Sequence, residues 1–328
     1  MKMPSVGILG TGKYVPERIL SNEDLARMVD TNDEWIVTMT GMKERRIAAE
    51  HEATSDLAYE AAVRAIDAAG LTAEEIDLIM VCSVTPDMMF PSTACIVQER
   101  LGAKNAAAFD LSAACAGFIY GVATATSYIK TGMYKHVLVI GAETLSRITD
   151  YTDRNTCILF GDGAGAAVLG PVPEGRGFHS FELGADGRGS ELLTLEGGGS
   201  RYPASMDTLE GKRHFIYMNG REVFKFAVRI MGSAAEEALA KAGKTKEDID
   251  LLIPHQANIR IIQSAIDRLN LPAEKCMINI PKYANTSAAS IPLALAEAVE
   301  EGRIKEGDTI VLVGFGGGLT WGAAVLTW

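Results

Sequence analysis

The chain contains an internal repeat, and this repeat constrains the fold more than any other feature of the sequence. Residues 69–78 read AGLTAEEIDL and residues 242–251 read AGKTKEDIDL, which places the two copies 173 residues apart. A helical pattern precedes each copy and an apolar, strand-like segment follows it. Residues 137–139 and 311–313 form a second strand-like pair, 174 residues apart, and each leads into a turn that contains glycine. Two separated matches at nearly one offset predict a duplication, with both halves packed as one body.

Both halves are predicted to be α/β structures. Helical segments alternate with short strands rich in valine, isoleucine and leucine, a pattern typical of sheets that helices cover on both faces. We assign residues 1–171 to the first half and residues 172–328 to the second. Residues 172–214 are rich in glycine and weakly periodic, so we expect loops and hairpins there that connect the halves and cover a site.

Composition and charge exclude several classes of protein. The hydrophobic fraction of 48% and the charged fraction of 22% are those of a globular chain. The longest apolar runs, such as residues 78–82 and 137–142, are much shorter than the roughly 18 residues that span a bilayer, so no membrane segment is expected. The net charge of −11 repels nucleic acid and acidic membrane surfaces. An acidic protein partner therefore requires a local basic patch.

The cysteines and the N-terminal segment predict a cytoplasmic protein. The 5 cysteines are odd in number and widely spaced, which favours free thiols over disulfides or a zinc site. Pro4 and Gly7 interrupt the start of the chain and leave no room for the apolar core of a secretory signal. We therefore expect a cytoplasmic chain with no bound metal.

Cys115 is the first residue that could carry chemistry. It follows a strand-like segment and precedes an almost wholly apolar helix, with Ser112 placed to cap that helix. In the first turn of a helix, the dipole and the unpaired N–H groups favour a thiolate and raise its reactivity. An inert buried cysteine is the alternative that this segment alone leaves open.

The second half supplies partners for such a cysteine. His255 comes directly after the strand of the repeated element, at the kind of strand end where α/β sites assemble. Asn285 lies just before another helix of small residues, and the turn GFGGG at residues 314–318 can present backbone N–H groups to an oxyanion. Together these segments provide a nucleophile, a base, an amide donor and an oxyanion site.

In this order, the four motifs resemble the β-ketoacyl-acyl-carrier-protein synthase III family, the condensing enzymes that initiate type II fatty-acid synthesis. The resemblance covers essentially the whole chain and includes the segments DEWI at 33–36, FPS at 90–92, GDGAG at 161–165, NGREVFK at 219–225 and LTWG at 319–322. It implies the thiolase-like fold, in which two similar α/β halves form layers in the order α/β/α/β/α. It also implies a homodimer.

The same resemblance implies a mechanism. Cys115 takes an acyl group from a short-chain acyl-coenzyme A and holds it covalently. Malonyl-acyl-carrier protein then loses carbon dioxide and attacks this acyl group, which gives a 3-ketoacyl-carrier protein. His255 and Asn285 donate hydrogen bonds to the malonyl thioester oxygen, and the backbone N–H groups of Cys115 and Gly317 hold the second oxyanion. No metal or redox cofactor is expected.

Binding residues are implied in the same way. The family pattern forms the coenzyme A tunnel from Thr31, Trp35, Arg154, Gly220, Phe224, Ala257 and Asn258. Two of them, Trp35 and Arg154, enclose the adenine. The acyl carrier protein is expected to dock on Gln256, Ala257, Asn258, Ile259, Arg260 and Lys225, with Lys212 and Arg213 as further basic residues. Phe90 is expected to reach across the dimer and bound the acyl pocket of the partner.

Two positions depart from the family pattern. Met39 stands where many members have an arginine near the coenzyme A phosphates, so nucleotide binding is expected to depend more on Arg154. Asp267 replaces one residue of a pair that is often doubly basic, which predicts a narrower patch for the carrier protein around Arg260.

Other functions on the same fold remain as alternatives. A thiolase uses a second cysteine, and Cys276 lies in no matching motif. A non-catalytic subunit of a condensing complex usually lacks the nucleophile, whereas Cys115 is present here. A relative that primes with another acyl group, or that makes a secondary metabolite, differs in the volume of its acyl pocket. Acetyl and branched short-chain primers are both open at this stage.

Overall fold

The computed structural model describes residues 3–328, so the first two residues of the predicted N-terminal half lie outside the described residues. The strands of this part of the chain are β1 Ser5–Tyr14, β2 Arg18–Ser21, β3 Glu44–Ile47, β4 Leu78–Cys82, β5 Ala107–Leu111, β6 Val137–Thr144, β7 Asp162–Val172, β8 Gly177–Ala185, β9 Leu193–Thr194, β10 Tyr217–Met218, β11 Leu251–Pro254, β12 Thr309–Gly316 and β13 Thr320–Thr327.

The helices alternate with these strands. They are α1 Asn22–Ala26, α2 Asp33–Thr40, α3 Thr54–Ala68, α4 Thr93–Leu101, α5 Gly117–Lys130, α6 Met206–Glu210, α7 Gly220–Lys241, α8 Ile259–Leu269, α9 Ile280–Tyr283 and α10 Ser290–Glu300. Short 3-10 turns at Ala114–Ala116 and Ser287–Ala289 come directly before α5 and α10. Within residues 3–328, no helix has both the length and the apolar character that crossing a membrane requires.

The two main sheets repeat one strand order. The five-stranded sheet runs β1-β7-β6-β4-β5 and the four-stranded sheet runs β8-β13-β12-β11. The pairs β4 with β6 and β11 with β12 are parallel, whereas β7 and β13 are antiparallel to both of their neighbours. A parallel bridge between Leu252 and Cys276 occupies the place that β5 has in the first sheet. The duplication predicted from the offset of the repeat is confirmed.

Helices cover both faces of each sheet and produce five layers. α3 and α4 pack on the outer face of the first sheet, and α7 and α8 pack on the outer face of the second. α5 and α10 lie between the sheets, where Phe118 and Ile291 pack in one core with Val139 and Leu312. Strands that have helices on both faces are apolar throughout, which explains the continuous apolar runs of β4 and β12. The predicted α/β/α/β/α arrangement is confirmed.

The connection between the halves is more regular than predicted. β7 extends to Val172, past the expected boundary at residue 171. β8 is an edge strand of the second sheet rather than a loop, and it pairs with β13 over its whole length. The glycines near both ends of β8 and its partly exposed face concealed this strand in the sequence. The remainder of residues 172–214 contains mainly turns, together with the short elements β9 and α6.

Candidate active site

Three of the predicted residues meet where strands of both halves end. Cys115 lies in the turn between β5 and α5, His255 is the first residue after β11, and Asn285 lies in the loop before α10. All three line one cavity of about 400 Å³ that also reaches the exposed side chains of Trp35 and Arg260. Cys115 and His255 each follow the carboxyl end of a parallel strand, the kind of place where α/β sites assemble, and Asn285 comes from the loop between α9 and α10.

Cys115 is enclosed by the protein and is only 8% exposed. It belongs to the 3-10 turn Ala114–Ala116, and α5 begins after this turn without a side-chain cap, so the predicted cap at Ser112 is wrong. Burial raises the pKa of the Cys115 thiol to about 12, and the neighbouring Ser287 hydroxyl acts in the opposite direction. The resting thiol is therefore protonated at neutral pH, and its proton has to leave during any attack by sulfur.

A buried carboxylate lies close to the thiol. Glu143, on β6, accepts hydrogen bonds from the Thr85 hydroxyl at 2.6 Å and from the Ser83 hydroxyl at 3.1 Å. The backbone N–H groups of Val84 and Thr85 also donate to it, both at 3.1 Å. Burial raises the pKa of this carboxyl, and the donors act against that rise. A negative charge on Glu143 also raises the pKa of Cys115, so this network opposes thiolate formation.

His255 is held as a neutral imidazole. The residue is 1% exposed, its Nδ1 lies 2.6 Å from Ser290 Oγ, and Phe315 packs edge-on against its ring at 5.6 Å between centroids. Burial lowers the pKa of His255 to about 3, because a charged imidazolium loses its hydration there. A neutral ring with one N–H directed at the cavity can donate a hydrogen bond to a developing oxyanion.

Asn285 is fixed by hydrogen bonds of both its backbone and its side chain. Its N–H donates to the Leu159 carbonyl at 2.9 Å, and its carbonyl accepts from Gly161 N–H at 3.0 Å. Its Oδ1 accepts from the Ser287 N–H at 2.8 Å. Because the side-chain oxygen is occupied in this way, the Nδ2 amide group is left to donate into the cavity.

The end of β12 and the turn that follows it lie directly against the cysteine. A Cβ atom on Gly316 would come within 2.5 Å of Cys115 N, so only glycine allows this approach. The Thr320 hydroxyl contacts both the cysteine turn and the turn after β12, since it lies 2.9 Å from the Ala113 carbonyl and 3.2 Å from the Gly317 carbonyl. Cys115 and Gly317 also line a second, smaller cavity of about 150 Å³, together with Leu145 and Ser287. Both residues of the predicted oxyanion site therefore border the same small space.

Most of the residues predicted for the tunnel line the larger cavity. They are Trp35, Gly220, Phe224, Ala257 and Asn258. Arg154 lies beside them, with its guanidinium carbon 5.4 Å from the centre of the Trp35 ring and an ion pair to Asp30 at 3.2 Å. An aromatic ring between the two side chains needs roughly 7 Å, at about 3.5 Å per contact, so Arg154 has to move outward to admit one. Thr31 does not line the cavity.

Known proteins with the same sequence pattern decide the family. Residues 109–187 match the family described as 3-oxoacyl-[acyl-carrier-protein] synthase III, and residues 239–328 match its C-terminal part. The β-ketoacyl-[acyl-carrier-protein] synthase III of Desulfitobacterium hafniense (strain DSM 10664 / DCB-2) is 61% identical over 326 residues, which are 99% of this chain and 98% of that protein. The chain belongs to the 3-oxoacyl-[acyl-carrier-protein] synthase III family.

Solved structures of synthase III proteins share the fold over almost the whole chain. The 3-oxoacyl-[acyl-carrier-protein] synthase III from Aquifex aeolicus VF5 is 50% identical, with a TM-score of 0.92, and the match covers 98% of this chain and 100% of that chain. The β-ketoacyl-[acyl carrier protein] synthase III from Thermus thermophilus is 54% identical, with a TM-score of 0.92, and the match covers 98% of this chain and 99% of that chain. The predicted family, fold class and enzyme class are confirmed.

The surface of this synthase III chain differs in part from the predicted docking patch for a carrier protein. Arg260 is exposed at the rim of the larger cavity, over the Phe224 ring at 5.1 Å, and it forms no ion pair within residues 3–328. Lys225 is paired with Glu222 at 2.7 Å. Lys212 and Arg213 line a neighbouring cavity instead, where they pair with Asp150 and Glu196.

The assignment of Gln256 to the docking patch is wrong. Gln256 is 1% exposed, and its side chain holds four backbone groups together, which leaves it no surface for a protein partner. Its Nε2 donates to the Pro254 and Met277 carbonyls at 2.8 and 3.1 Å. Its Oε1 accepts from the Asn279 and Ile280 N–H groups at 3.0 and 3.1 Å. Gln256 is therefore a structural residue of the synthase III site.

Of the other predicted features, Phe90 lies away from the two cavities and Met39 lies in one of them. Phe90 is 85% exposed and lines neither of them, and Met88 and Met89 beside it are also exposed. Met39 lines the larger cavity, and its carbonyl accepts a hydrogen bond from Asn258 Nδ2 at 2.9 Å. In the part of the chain that the structure describes, no three His, Cys, Asp or Glu residues form a group that could hold a metal ion.

Three residues that interact with the predicted catalytic set were missed in the sequence. Glu143 and Ser287 lie beside Cys115, and Ser290 contacts His255. The two serines stand two and five positions after Asn285 at the start of a helix. This spacing is a usable signal, because a helix start that follows a polar loop carries its side chains into the same site. Glu143 gave no comparable signal.

Proposed function

We propose that this chain catalyses the decarboxylative condensation of a short-chain acyl-coenzyme A with malonyl-acyl-carrier protein. The product is a 3-ketoacyl-carrier protein, and the reaction initiates fatty-acid synthesis. The observation that carries the proposal is the convergence of Cys115, His255 and Asn285 on one cavity that extends to Trp35 at the surface. The names of the relatives that match almost the full length of the chain support the same reaction.

In the first step, Cys115 Sγ attacks the thioester carbonyl of the acyl-coenzyme A. A new S–C bond forms, coenzyme A leaves as the thiolate, and that thiolate takes up the proton which Cys115 releases. The negative oxygen of the tetrahedral intermediate is held by the backbone N–H groups of Cys115 and Gly317, two residues that line the smaller cavity. The acyl chain occupies this cavity of about 150 Å³, so short chains are the expected primers.

In the second step, the malonyl group loses carbon dioxide. His255 Nε2–H and the Asn285 amide donate hydrogen bonds to the thioester oxygen, which stabilises the enolate as the C–C bond breaks. The enolate carbon attacks the acyl carbonyl on Cys115, a C–C bond forms, and the cysteine sulfur leaves as the thiolate and takes up a proton from solvent. These groups belong to the chain itself, and the proposed steps use neither a metal nor a redox cofactor.

The two substrates are proposed to enter along one path. Trp35 and Arg154 bind the adenine once Arg154 moves away from the indole face, and Gly220, Phe224, Ala257 and Asn258 surround the rest of coenzyme A. The carrier protein docks at the mouth of the cavity on Arg260 and Lys225, next to Ala257, Asn258 and Ile259. A basic patch at this place offsets the repulsion between an acidic carrier and a chain of net charge −11.

We also propose a homodimer that works in the cytoplasm. β5 is an unpaired edge of the five-stranded sheet, and the exposed Met88, Met89 and Phe90 follow the neighbouring strand β4. An unprotected edge beside exposed apolar side chains favours pairing with a second copy. All 5 cysteines are free, as the reaction requires of Cys115, and free thiols persist in a reducing compartment. Sedimentation equilibrium should give twice the mass of one chain, and a monomer would refute the dimer.

Intact-protein mass spectrometry tests the reaction directly. The wild type, Cys115→Ala and Cys95→Ala are incubated with a panel of acyl-coenzyme A thioesters. Cys95 is the matched control because it is exposed and open to unspecific acylation. We expect one acyl group on the wild type and on Cys95→Ala, and none on Cys115→Ala. No adduct with any primer would refute the proposed function and favour a non-catalytic subunit.

A further inference from the structure

We propose that Ser290 is a positioning residue that fixes the tautomer of His255, so that the ring carries its only proton on Nε2, toward the substrate. The proposal rests on the proposed function, because it explains how His255 is kept ready to donate a hydrogen bond to the malonyl thioester. Ser290 is the first residue of α10, is 2% exposed and does not line either cavity of the site. It therefore acts through His255 and not on the substrate.

Two hydrogen bonds define the position of the Ser290 hydroxyl. Its Oγ lies 2.6 Å from His255 Nδ1 and 3.0 Å from Gln256 N. A backbone N–H can only donate, so Ser290 Oγ is the acceptor in the bond from Gln256. The hydroxyl proton then remains available for one acceptor.

Nδ1 of His255 is the acceptor that receives this proton. Other helical hydroxyls in this chain donate to the carbonyl one turn earlier, as Thr124 does to Tyr120 and Ser127 does to Ala123. Ser290 has no such bond within residues 3–328, because the 3-10 turn Ser287–Ala289 precedes it instead of a full helical turn. Since the hydroxyl donates to Nδ1, the single proton of the neutral ring is on Nε2.

The surroundings keep this arrangement rigid. The Gln256 N–H that fixes the serine belongs to a residue whose side chain is bonded to backbone groups at Pro254, Met277, Asn279 and Ile280. Phe315 packs edge-on against the imidazole and restrains its plane. Burial lowers the pKa of His255 to about 3, so a second proton is not gained at neutral pH. Within residues 3–328, Nε2 has no hydrogen-bond partner and is free to donate into the cavity.

Nitrogen NMR of histidine-labelled full-length protein reads the tautomer directly. Signals of His255 are assigned by their loss in His255→Ala, and correlations from the ring carbon-bound protons distinguish a protonated Nε2 from a protonated Nδ1. We expect protonated Nε2 in the wild type. Protonated Nδ1 in the wild type would overturn the proposal, whatever the activity of the protein.

Variants of Ser290 connect the tautomer to the reaction. Ser290→Ala removes the donor to Nδ1, so we expect a mixture of tautomers and a malonyl decarboxylation rate that is lower by about tenfold or more. The upper limit is the roughly 10²–10³-fold loss that follows removal of an oxyanion donor. Ser290→Thr keeps the hydroxyl, and we expect it to restore the Nε2 tautomer and the rate. Acylation of Cys115 should be unchanged in both variants.

Ser180→Ala is the matched control. Ser180 is also buried and its hydroxyl donates to a carbonyl, that of Ala238 at 2.6 Å, but it lies on β8 and touches no residue of the site. If Ser290→Ala decarboxylates as fast as Ser180→Ala, or is slow while keeping the pure Nε2 tautomer, the proposal is wrong. If Ser290→Ala does not fold, the proposal is tested by the tautomer in the wild-type spectrum and by the tautomer and decarboxylation rate of Ser290→Thr. A wild type that is never acylated refutes the proposed function and leaves the tautomer result standing.

Discussion

The backbone of Ser287 orients the side chain of Asn285, because the Ser287 N–H donates to Asn285 Oδ1 at 2.8 Å. Ser287 adopts a positive φ of 49°, which few residues other than glycine adopt readily. This conformation at the start of the turn Ser287–Ala289 directs the N–H back at Asn285. The local backbone therefore determines which end of the amide faces the cavity.

Asn285→Asp is expected to separate the two steps of the reaction. The carboxylate can still accept the Ser287 N–H, but its other oxygen cannot donate to a thioester when it is ionised. Malonyl decarboxylation should fall about 10²–10³-fold, while acylation of Cys115 is retained. Decarboxylation is followed by carbon dioxide release and acylation by intact mass. Loss of acylation with decarboxylation intact would show that the two roles are assigned to the wrong residues.

Gly316→Ala is expected to disable acylation. The new methyl group would lie 2.5 Å from Cys115 N and 3.0 Å from Ala114 Cβ, so the cysteine turn has to shift. Displacing one oxyanion N–H should lower the acylation rate by about 10²-fold or more. Gly187→Ala is the control, because a Cβ there meets no atom within 4 Å. Equal acylation rates in the two variants, at equal thermal stability, would contradict the oxyanion assignment.

Arg260→Ala is expected to weaken docking of the carrier protein and spare coenzyme A chemistry. The KM for malonyl-acyl-carrier protein should rise roughly three- to tenfold, or about 0.7–1.4 kcal/mol, with a smaller effect at high salt. Lys225→Ala should have a smaller effect, because Lys225 is already paired with Glu222. Lys305→Ala is the charge-matched control, since Lys305 precedes the end of β12 that is opposite to Gly316. An equal KM change in Lys305→Ala would indicate only a long-range effect of net charge.

The buried imidazole predicts an acid-sensitive fold. Burial lowers the pKa of His255 from 6.5 to about 3, so between these pH values the unfolded chain binds a proton at His255 that the folded chain does not. The stability present above about pH 6.5 is therefore lost as the pH falls, by up to about 1.4 kcal/mol per pH unit.

His255→Gln removes this titration. The stability advantage of the wild type over this variant should shrink between about pH 7 and pH 5 in urea unfolding experiments. His51→Gln, at an exposed histidine, is the matched control for the loss of one imidazole. A difference between wild type and His255→Gln that stays constant with pH would show that His255 is not buried as a neutral group.

Much of the fold could be predicted because a duplication leaves its trace at a fixed offset. The repeat at residues 69–78 and 242–251 indicated which segments of the two halves are equivalent. The apolar runs of β4 and β6 indicated buried strands. β8 was missed because its partly exposed face and terminal glycines resemble a loop. Strand periodicity is visible in a sequence only when one face or both faces are consistently apolar.

Site residues could be predicted where a reactive side chain stands next to the end of a predicted strand or helix. They could not be predicted where the role depends on the direction in which the side chain points. Cys115, His255 and Asn285 each stand beside a predicted strand or helix, so their convergence followed from the topology. Gln256 follows His255 directly, yet its side chain points into the protein and not toward a partner. The spacing of Ser290 from Asn285 can indicate that Ser290 lies near the site, but its contact with His255 joins residues 35 positions apart and cannot be identified from the local pattern. The orientation of a side chain and contacts of this kind are determined only in the folded chain.

The repeated turns show how the two copies have diverged. Ala114–Ala116 precedes α5 as Ser287–Ala289 precedes α10, and the first residue of each turn has a positive φ. Cys115 is the middle residue of one turn and Ala288 is the middle residue of the other. His255 follows β11 directly, and Ser83 stands at the same place after β4. The two halves therefore share the backbone of this turn and of this strand end, but they carry different side chains there, with the proposed nucleophile in one half and the proposed hydrogen-bond donors in the other. Neither half separated from its twin could carry out the reaction.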